Sequence, residues 1–250
     1  MTTVRLGRTG LTVCKQGFGC LPIQRISKEE AVALLRRAHE GGMNYFDTAR
    51  AYSDSEEKVG TAFAGMRDQV ILATKTQAAT AEEMWKDLEE SLHALQTDYI
   101  DLYQFHNPTF CPKPGGVDGL YDAAMEAKRQ GKIRHLGITN HRLAVAHEAI
   151  DSGLYETLQF PFSYLSGQQD LELVEKCRAA DMGFVAMKSL AGGLIRDGLA
   201  AAAFMEQNPT VVPIWGVQHS WELEQFLSCI AVPPAMTPVR QATIDQDRKE

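Results

Sequence analysis

Along the chain, short apolar runs of β-favouring residues alternate with longer stretches whose apolar positions recur every three or four residues. The runs span 15–20, 44–48, 70–76, 100–106, 133–139, 157–162, 183–189 and 211–217. Between them, Ala31, Leu34, Leu35 and Ala38 mark one helical face, and Met84, Leu88, Leu92 and Leu95 mark another. Helix starts are expected where Ser27 precedes Lys28-Glu29-Glu30, where Thr80 precedes Ala81-Glu82-Glu83 as a capping box, and where Ser220 precedes Trp221-Glu222. Gly41, Gly131, Gly153 and Gly183 are placed to end helices.

Eight strand-like runs, each followed by a helix-like stretch, predict eight βα units and hence an α/β fold, a single (β/α)8 TIM barrel over residues 1–250. A doubly wound sheet of this length holds fewer strands and wants a glycine fingerprint after one of them. The nearest candidate is Gly17-Phe18-Gly19, but Pro22 stands where the third glycine belongs. No Pro- or Ser-rich linker divides the chain. Residues 107–116 read as the most loop-like stretch, and residues 230–250 as a polar, mostly unstructured tail.

Composition narrows the partners. A chain of 250 residues with 44% apolar side chains can fill the core of one barrel. A formal charge of −7, with no basic block of five or more, argues against nucleic acid, because phosphate binding needs clustered Lys and Arg. No apolar run approaches the roughly 18 residues of a membrane span, and no charged-then-apolar signal segment opens the chain. The cysteines Cys14, Cys20, Cys111, Cys177 and Cys229 are odd in number and never spaced C-x-x-C. They read as reduced thiols of a cytoplasmic protein, with neither a disulfide framework nor a metal site. Nothing suggests an obligate interface, and a monomer is expected.

The candidate chemistry rests on a spacing. Asp47 ends NYFD, Lys75 ends VILATK and His106 ends IDLYQFH, 28 and 31 residues apart, which is one βα unit each. In a barrel these groups sit at the C-terminal ends of three successive strands about 4.8 Å apart, on the face where barrel enzymes place their active sites. Tyr52, five residues beyond Asp47, can return over the same mouth. A lysine about 4 Å from a phenolate stabilises it by roughly 4 kcal/mol at an effective dielectric near 20. Burial opposes this, so a lowered phenol pKa is expected only while Lys75 stays charged, a condition that Asp47 secures. His106 can then orient a carbonyl oxygen. Taken singly, an Asp or His at a strand end is more often structural, and Tyr52 alone reads as surface packing. The lysine is the unusual member, since buried amines are costly.

At these residues the sequence resembles the aldo-keto reductase family over nearly its whole length. RLGRTGLTV resembles the N-terminal hairpin that closes the barrel bottom, and GFGC the first strand. NYFDTARAY resembles the segment carrying the family's aspartate and tyrosine, ILATK the lysine strand, and DLYQFHNP the histidine strand. The resemblance implies that an aldehyde or ketone is reduced with NADPH, or NADH in its place, and that Tyr52 donates the proton. Asp47, Lys75 and His106 complete the catalytic set. The cofactor positions it implies are Gly19, Cys20, Thr139, Asn140, Gln159, Met187, Lys188, Ser189, Leu190, Gly216, Gln218 and Gln225. Thr139, Asn140 and Gln159 would hold the nicotinamide.

The sequence departs from the family pattern at two strands. Met187 stands where many members stack a tyrosine on the nicotinamide. Lys188 follows where a serine is common, and either reaches the pyrophosphate or lies solvated at the rim. In PIWGVQHSWELEQF, the adenosine end, Gln218 and His219 stand without an Arg or Lys for a 2′-phosphate. A subgroup of similar wording continues into a ferredoxin-like cysteine-rich tail. This chain stops at Glu250 before such cysteines, so the residues present are expected to bind no iron–sulfur cluster. The alternative function is a nucleotide-holding regulatory or sensor protein on the same fold, which would not need a proton donor. A Schiff-base lyase using Lys75 ranks last, because the adjacent acid keeps the amine charged. The substrate pocket falls to the loops after the strands, chiefly residues 107–116, and to the C-terminal tail. Phe110, Trp85, Trp215 and Trp221 are candidates for an aromatic pocket, although for each of them core or surface packing is the commoner role.

Overall fold

The computed structural model describes residues 2–249. Its core is a closed barrel of eight parallel strands in chain order: β3 (Gly17–Gly19), β4 (Tyr45–Asp47), β5 (Ile71–Thr76), β6 (Ile100–His106), β7 (Ile133–Thr139), β8 (Thr157–Pro161), β9 (Gly183–Met187) and β10 (Val211–Gly216). Pairing of Trp215 with Phe18 and of Gly216 with Gly19 closes the ring. The helices that follow these strands in turn are α1 (Lys28–Glu40), α2 (Ser55–Phe63), α3 (Ala81–Ala94), α4 (Leu120–Arg129), α5 (Leu143–Ser152), α6 (Gln168–Ala179), α7 (Gly198–Glu206) and α8 (Ser220–Ala231). The predicted (β/α)8 barrel is the observed one.

Apolar residues divide between two clusters. The larger fills the space between strands and helices, where the expected faces of α1 and α3 are buried. The smaller lies inside the barrel, where Tyr45, Ala73, Leu102, Val185, Val212 and Ile214 meet Val4, Leu6 and Val13. The last three belong to an antiparallel hairpin, β1 (Thr3–Arg5) with β2 (Thr12–Cys14), which plugs the bottom as expected. A bridge between Gly7 and Met182 fastens the plug just before β9.

Strand ends follow local chemistry. β3 begins later than the apolar run because Lys15 and Gln16 turn to the barrel's lower edge. Lys15 Nζ caps the carbonyls of Asn208 and Val211 at 2.6 Å, and Gln16 accepts the indole N–H of Trp215 at 2.7 Å. β6 and β9 stop at Asn107 (φ 57°) and Lys188 (φ 55°), whose left-handed backbone cannot continue a strand. Three expected boundaries are corrected. Gly183 does not end a helix: Asp181 takes the left-handed turn at φ 49°, and Gly183 starts β9, where a Cβ would meet Leu6 Cγ at 2.7 Å. Ser220 lies inside α8 rather than capping it. The cap is His219, with the Glu222 carboxylate accepting the N–H groups of Gln218 and His219 at 2.9 Å each. At Thr80 one half of the box forms, and Glu83 instead accepts from Ala79. Ser27 and Glu30 form the full capping box.

The tail is likewise not unstructured. Thr237 caps α9 (Pro238–Asp247), whose Asp247 accepts a hydrogen bond from the buried Tyr164, while Arg248 donates to the Tyr164 carbonyl at 2.6 Å. Pro238 at the first helical position starts this helix without losing a bond.

Candidate active site

Asp47 and His106 close β4 and β6, Lys75 stands one residue before the end of β5, and the structure brings all three together with Tyr52 at one end of the barrel. Parallel pairing sets Asp47 against Ala73 and Lys75 against Gln104, so these side chains step around the interior wall. Lys75 Nζ lies 2.6 Å from Asp47 Oδ2 and 2.6 Å from the Thr48 carbonyl, with Lys75 and Asp47 each 1% exposed. Tyr52 is carried back over the mouth by a tight turn. Thr48 N–H bonds the Ala73 carbonyl at 2.8 Å, Arg50 N–H bonds the Lys75 carbonyl at 3.0 Å, and Ser53 takes φ 36°. The Tyr52 ring then lies with its centroid 5.1 Å from Lys75 Nζ and edge-on to His106 at 5.8 Å between ring centroids.

Burial is the largest single influence on the titration of each of these groups, though not always the deciding one. It pushes the Asp47 carboxyl above the ordinary range, against the downward pull of Lys75 and of the amides of Gln159 and Gln104. It works against the Lys75 ammonium too, but Asp47 and Tyr52 outweigh it and hold that pKa above the usual lysine value. The Tyr52 phenol is raised by burial, and Lys75 offsets only part of the rise. This corrects the expected depression: the phenol stays a protonated acid. His106 is lowered to about 4 by burial and by the nearby Lys75 and His141, so its imidazole is neutral near pH 7. His106 Nδ1 is buried without a partner among the described residues.

The other implied positions, Gln225 excepted, follow the remaining strands around the same rim, in the order β7, β8, β9, β10, β3. Gln159 points inward, and its Nε2 is 3.4 Å from Asp47 Oδ2. Thr139 Oγ1 accepts the Asn107 N–H at 3.1 Å. Asn140 is more committed than the sequence indicated. Its Oδ1 accepts from His141 and Arg142 at 3.0 and 2.9 Å, and its Nδ2 donates to the Pro108 carbonyl at 2.8 Å, leaving one amide hydrogen for a ligand. Met187 is half-buried against the interior cluster, Lys188 is exposed, Leu190 is half-buried, and Ser189 is turned inward with Oγ on the Ala186 carbonyl at 3.1 Å. Gly19 and Gly216 form a seam of bare backbone, where a Cβ on Gly19 would stand 3.4 Å from Gly216 N. Cys20 is buried, with its N–H on the Asp47 carbonyl at 2.8 Å. Gln218 Oε1 is buried with no partner among the described residues. Gln225 lies back from the rim on α8, against Gly198 at the start of α7.

Gln104, outside the expected set, is fully buried and donates from Nε2 to Asp47 Oδ1 and to Gln159 Oε1, both at 3.2 Å. The signal was there: it precedes His106 by two on one strand, and such residues share a face. A cavity of about 290 Å³ opens beside His106, lined by residues that include Thr76, Ala78, Asn107, Pro108 and Phe110. A wider groove of about 700 Å³ between α2 and α3 is lined by charged side chains such as Lys28, Arg50 and Glu90, and it touches none of the four grouped residues.

Residues 15–229 match the profile of the Aldo/keto reductase family. L-galactose dehydrogenase of Arabidopsis thaliana is 31% identical over 211 residues, covering 77% of this chain and 66% of that protein. The chain thus spans slightly less than two thirds of that relative's length. Among solved structures, an aldo-keto reductase from Bacillus halodurans superposes with a TM-score of 0.85 at 24% identity, covering 99% of this chain and 96% of the other. An aldo-keto reductase from Klebsiella pneumoniae, solved in complex with NADPH, gives 0.79 at 25% identity, covering 98% and 94%.

Proposed function

The chain belongs to the Aldo/keto reductase family, and from that premise we propose that it is an NAD(P)H-dependent reductase converting an aldehyde or ketone to an alcohol, with Tyr52 as proton donor. The observation that carries this reading is the placement of Lys75, locked at 2.6 Å onto Asp47 and lying beside the Tyr52 ring, which His106 flanks edge-on.

The rim from β7 to β3 fits a nicotinamide dinucleotide. Gln159 and the remaining amide hydrogen of Asn140 suit a carboxamide, and Gln218 has an oxygen with no partner among the described residues. Lys188, exposed at the end of β9, can meet a pyrophosphate. When bound, the reduced cofactor supplies hydride to the carbonyl carbon.

The chain's own residues do the rest. The phenol of Tyr52, held protonated by burial, gives its proton to the carbonyl oxygen as negative charge develops there. An alkoxide is a far stronger base than a phenolate, so this transfer runs downhill without a lowered phenol pKa. The phenolate left behind is buried, and the Lys75 ammonium stabilises it. Asp47 keeps that ammonium charged and aimed. Neutral His106 offers an N–H to the same oxygen and so sets its direction. The cavity beside His106 is walled by Ala78, Pro108 and Phe110 together with the polar Thr76, Gln77 and Asn107 and by no Asp, Glu, Lys or Arg, and suits an uncharged extension of the substrate.

Fluorescence titration with NADPH and NADH, followed by a panel of aldehydes with the tighter one, tests this reading. Saturable quenching and carbonyl-dependent oxidation of the cofactor support it. Failure to bind either dinucleotide overturns it.

A further inference from the structure

Beneath the reacting groups the barrel interior carries a polar side chain that packing alone does not explain. Gln104 is fully buried on β6, one pleat below His106, with Lys75 and Gly137 as its neighbours in register on β5 and β7. Gly137 makes the room: a Cβ there would stand 3.2 Å from Gln104 Cγ and collide with Thr157 Oγ1. An amide nitrogen carries two hydrogens, so Gln104 Nε2 can serve Asp47 Oδ1 and Gln159 Oε1 at once, each at 3.2 Å. Gln159 in turn donates to Asp47 Oδ2, which also receives Lys75. The acid, both glutamines and the lysine therefore form one closed set, in which Gln104 covers the carboxylate oxygen that Lys75 does not.

The arrangement carries a penalty. Gln104 Oε1 points into the interior with no partner among the described residues. A leucine or methionine would fill similar space with no orphaned oxygen. The amide cannot turn over to relieve it, because that would press its oxygen against the carboxylate. A buried polar group retained at such a cost is offset by the charge-assisted bond it makes, and that bond ends on Asp47.

Resting on the reading above, we propose that Gln104 is a positioning residue, whose amide fixes the Asp47 carboxylate for Lys75 and at the same time sets the orientation of Gln159. It touches no reacting atom. Its effect passes through Asp47 to Lys75 and so to Tyr52.

The test compares the parent with Gln104→Met, which keeps length and removes the donor, and Gln104→Glu, which keeps shape. In Gln104→Met, the Asp47 carboxyl, followed by carbon NMR and assigned with Asp47→Asn, titrates about one pH unit higher. The acid limb of kcat/KM moves up by a similar amount. The kcat falls about tenfold or more, while KM for the carbonyl is little changed. In Gln104→Glu, the introduced carboxyl can donate to Asp47 only while protonated, so activity declines with rising pH across a range where the parent is flat. A folded Gln104→Met protein with parental Asp47 titration and pH profile overturns the proposal. If Gln104→Met does not fold, a parental profile in Gln104→Glu overturns it equally. Should the parent oxidise no NADPH with any carbonyl, the proposed function fails, while the NMR titration of Asp47 still decides the role of Gln104.

Discussion

Removing Lys75 probes the site at its most costly point. Lys75 and Asp47 are buried together, 2.6 Å apart, so Lys75→Met leaves a carboxylate supported by two neutral amides and no counter-charge. Breaking such a buried pair costs about 3–5 kcal/mol. For a chain of this size each kcal/mol moves Tm by about 2–4 °C, so a fall of about 6–20 °C is expected. Asp47→Asn strands the ammonium on the Thr48 carbonyl and should cost about as much. The double variant holds neither charge, and its loss should fall short of the sum by at least about 2 kcal/mol. Urea denaturation of the four proteins measures that coupling. The sign with pH is also fixed. Burial already raises the Asp47 carboxyl, and without Lys75 it rises further. Over the window from the unfolded value near 3.9 up to the folded one, the native state holds a proton that the unfolded chain releases. Lys75→Met should therefore lose stability as pH rises through that window and recover toward acid. Additive single losses, or a variant least stable in acid, would refute the buried ion pair.

Two further outcomes follow from the geometry. The His106 imidazole should titrate near 4 by NMR. Between pH 6.5 and 4 the unfolded chain binds a proton that folded His106 refuses, so this residue's contribution to stability declines as pH falls through that window; a midpoint of 6 or above contradicts it. Gly7→Ala should destabilise by at least about 1–2 kcal/mol from its left-handed backbone (φ 53°) alone, and by more because the added Cβ meets Asp181 O at 2.7 Å. Parental stability in urea would show that the hairpin plug does not depend on the close approach at β9.

Much of the fold was legible because parallel strands covered on both faces read as continuous apolar runs, and eight of them left one economical closure. The grouping of Asp47, Lys75 and His106 was legible for the same reason, since strand ends recur at one-unit intervals. What escaped depended on distant contacts. The helix α9 presents Ile244 as its buried residue and is held through Tyr164, 83 residues away from Asp247, so its polar sequence read as a loose tail. The direction of the Tyr52 shift is a balance between burial and one amine, and the balance turns on how deeply the loop after β4 seats the ring. Asn140 looked free for a ligand because the partners on its Oδ1 are backbone N–H groups of the next turn, and the one on its Nδ2 a backbone carbonyl 32 residues earlier. Asp181 took a left-handed turn that glycine would have signalled, while nearby Gly183 was needed for clearance around Leu6.

The central claim is that the Tyr52 phenol supplies the proton, and single-turnover oxidation of enzyme-bound NADPH by an aldehyde tests it in the parent and in Tyr52→Phe. The account predicts a rate lower by about 10²–10⁴-fold in the variant, with unchanged NADPH quenching. An equal rate in both proteins would contradict it.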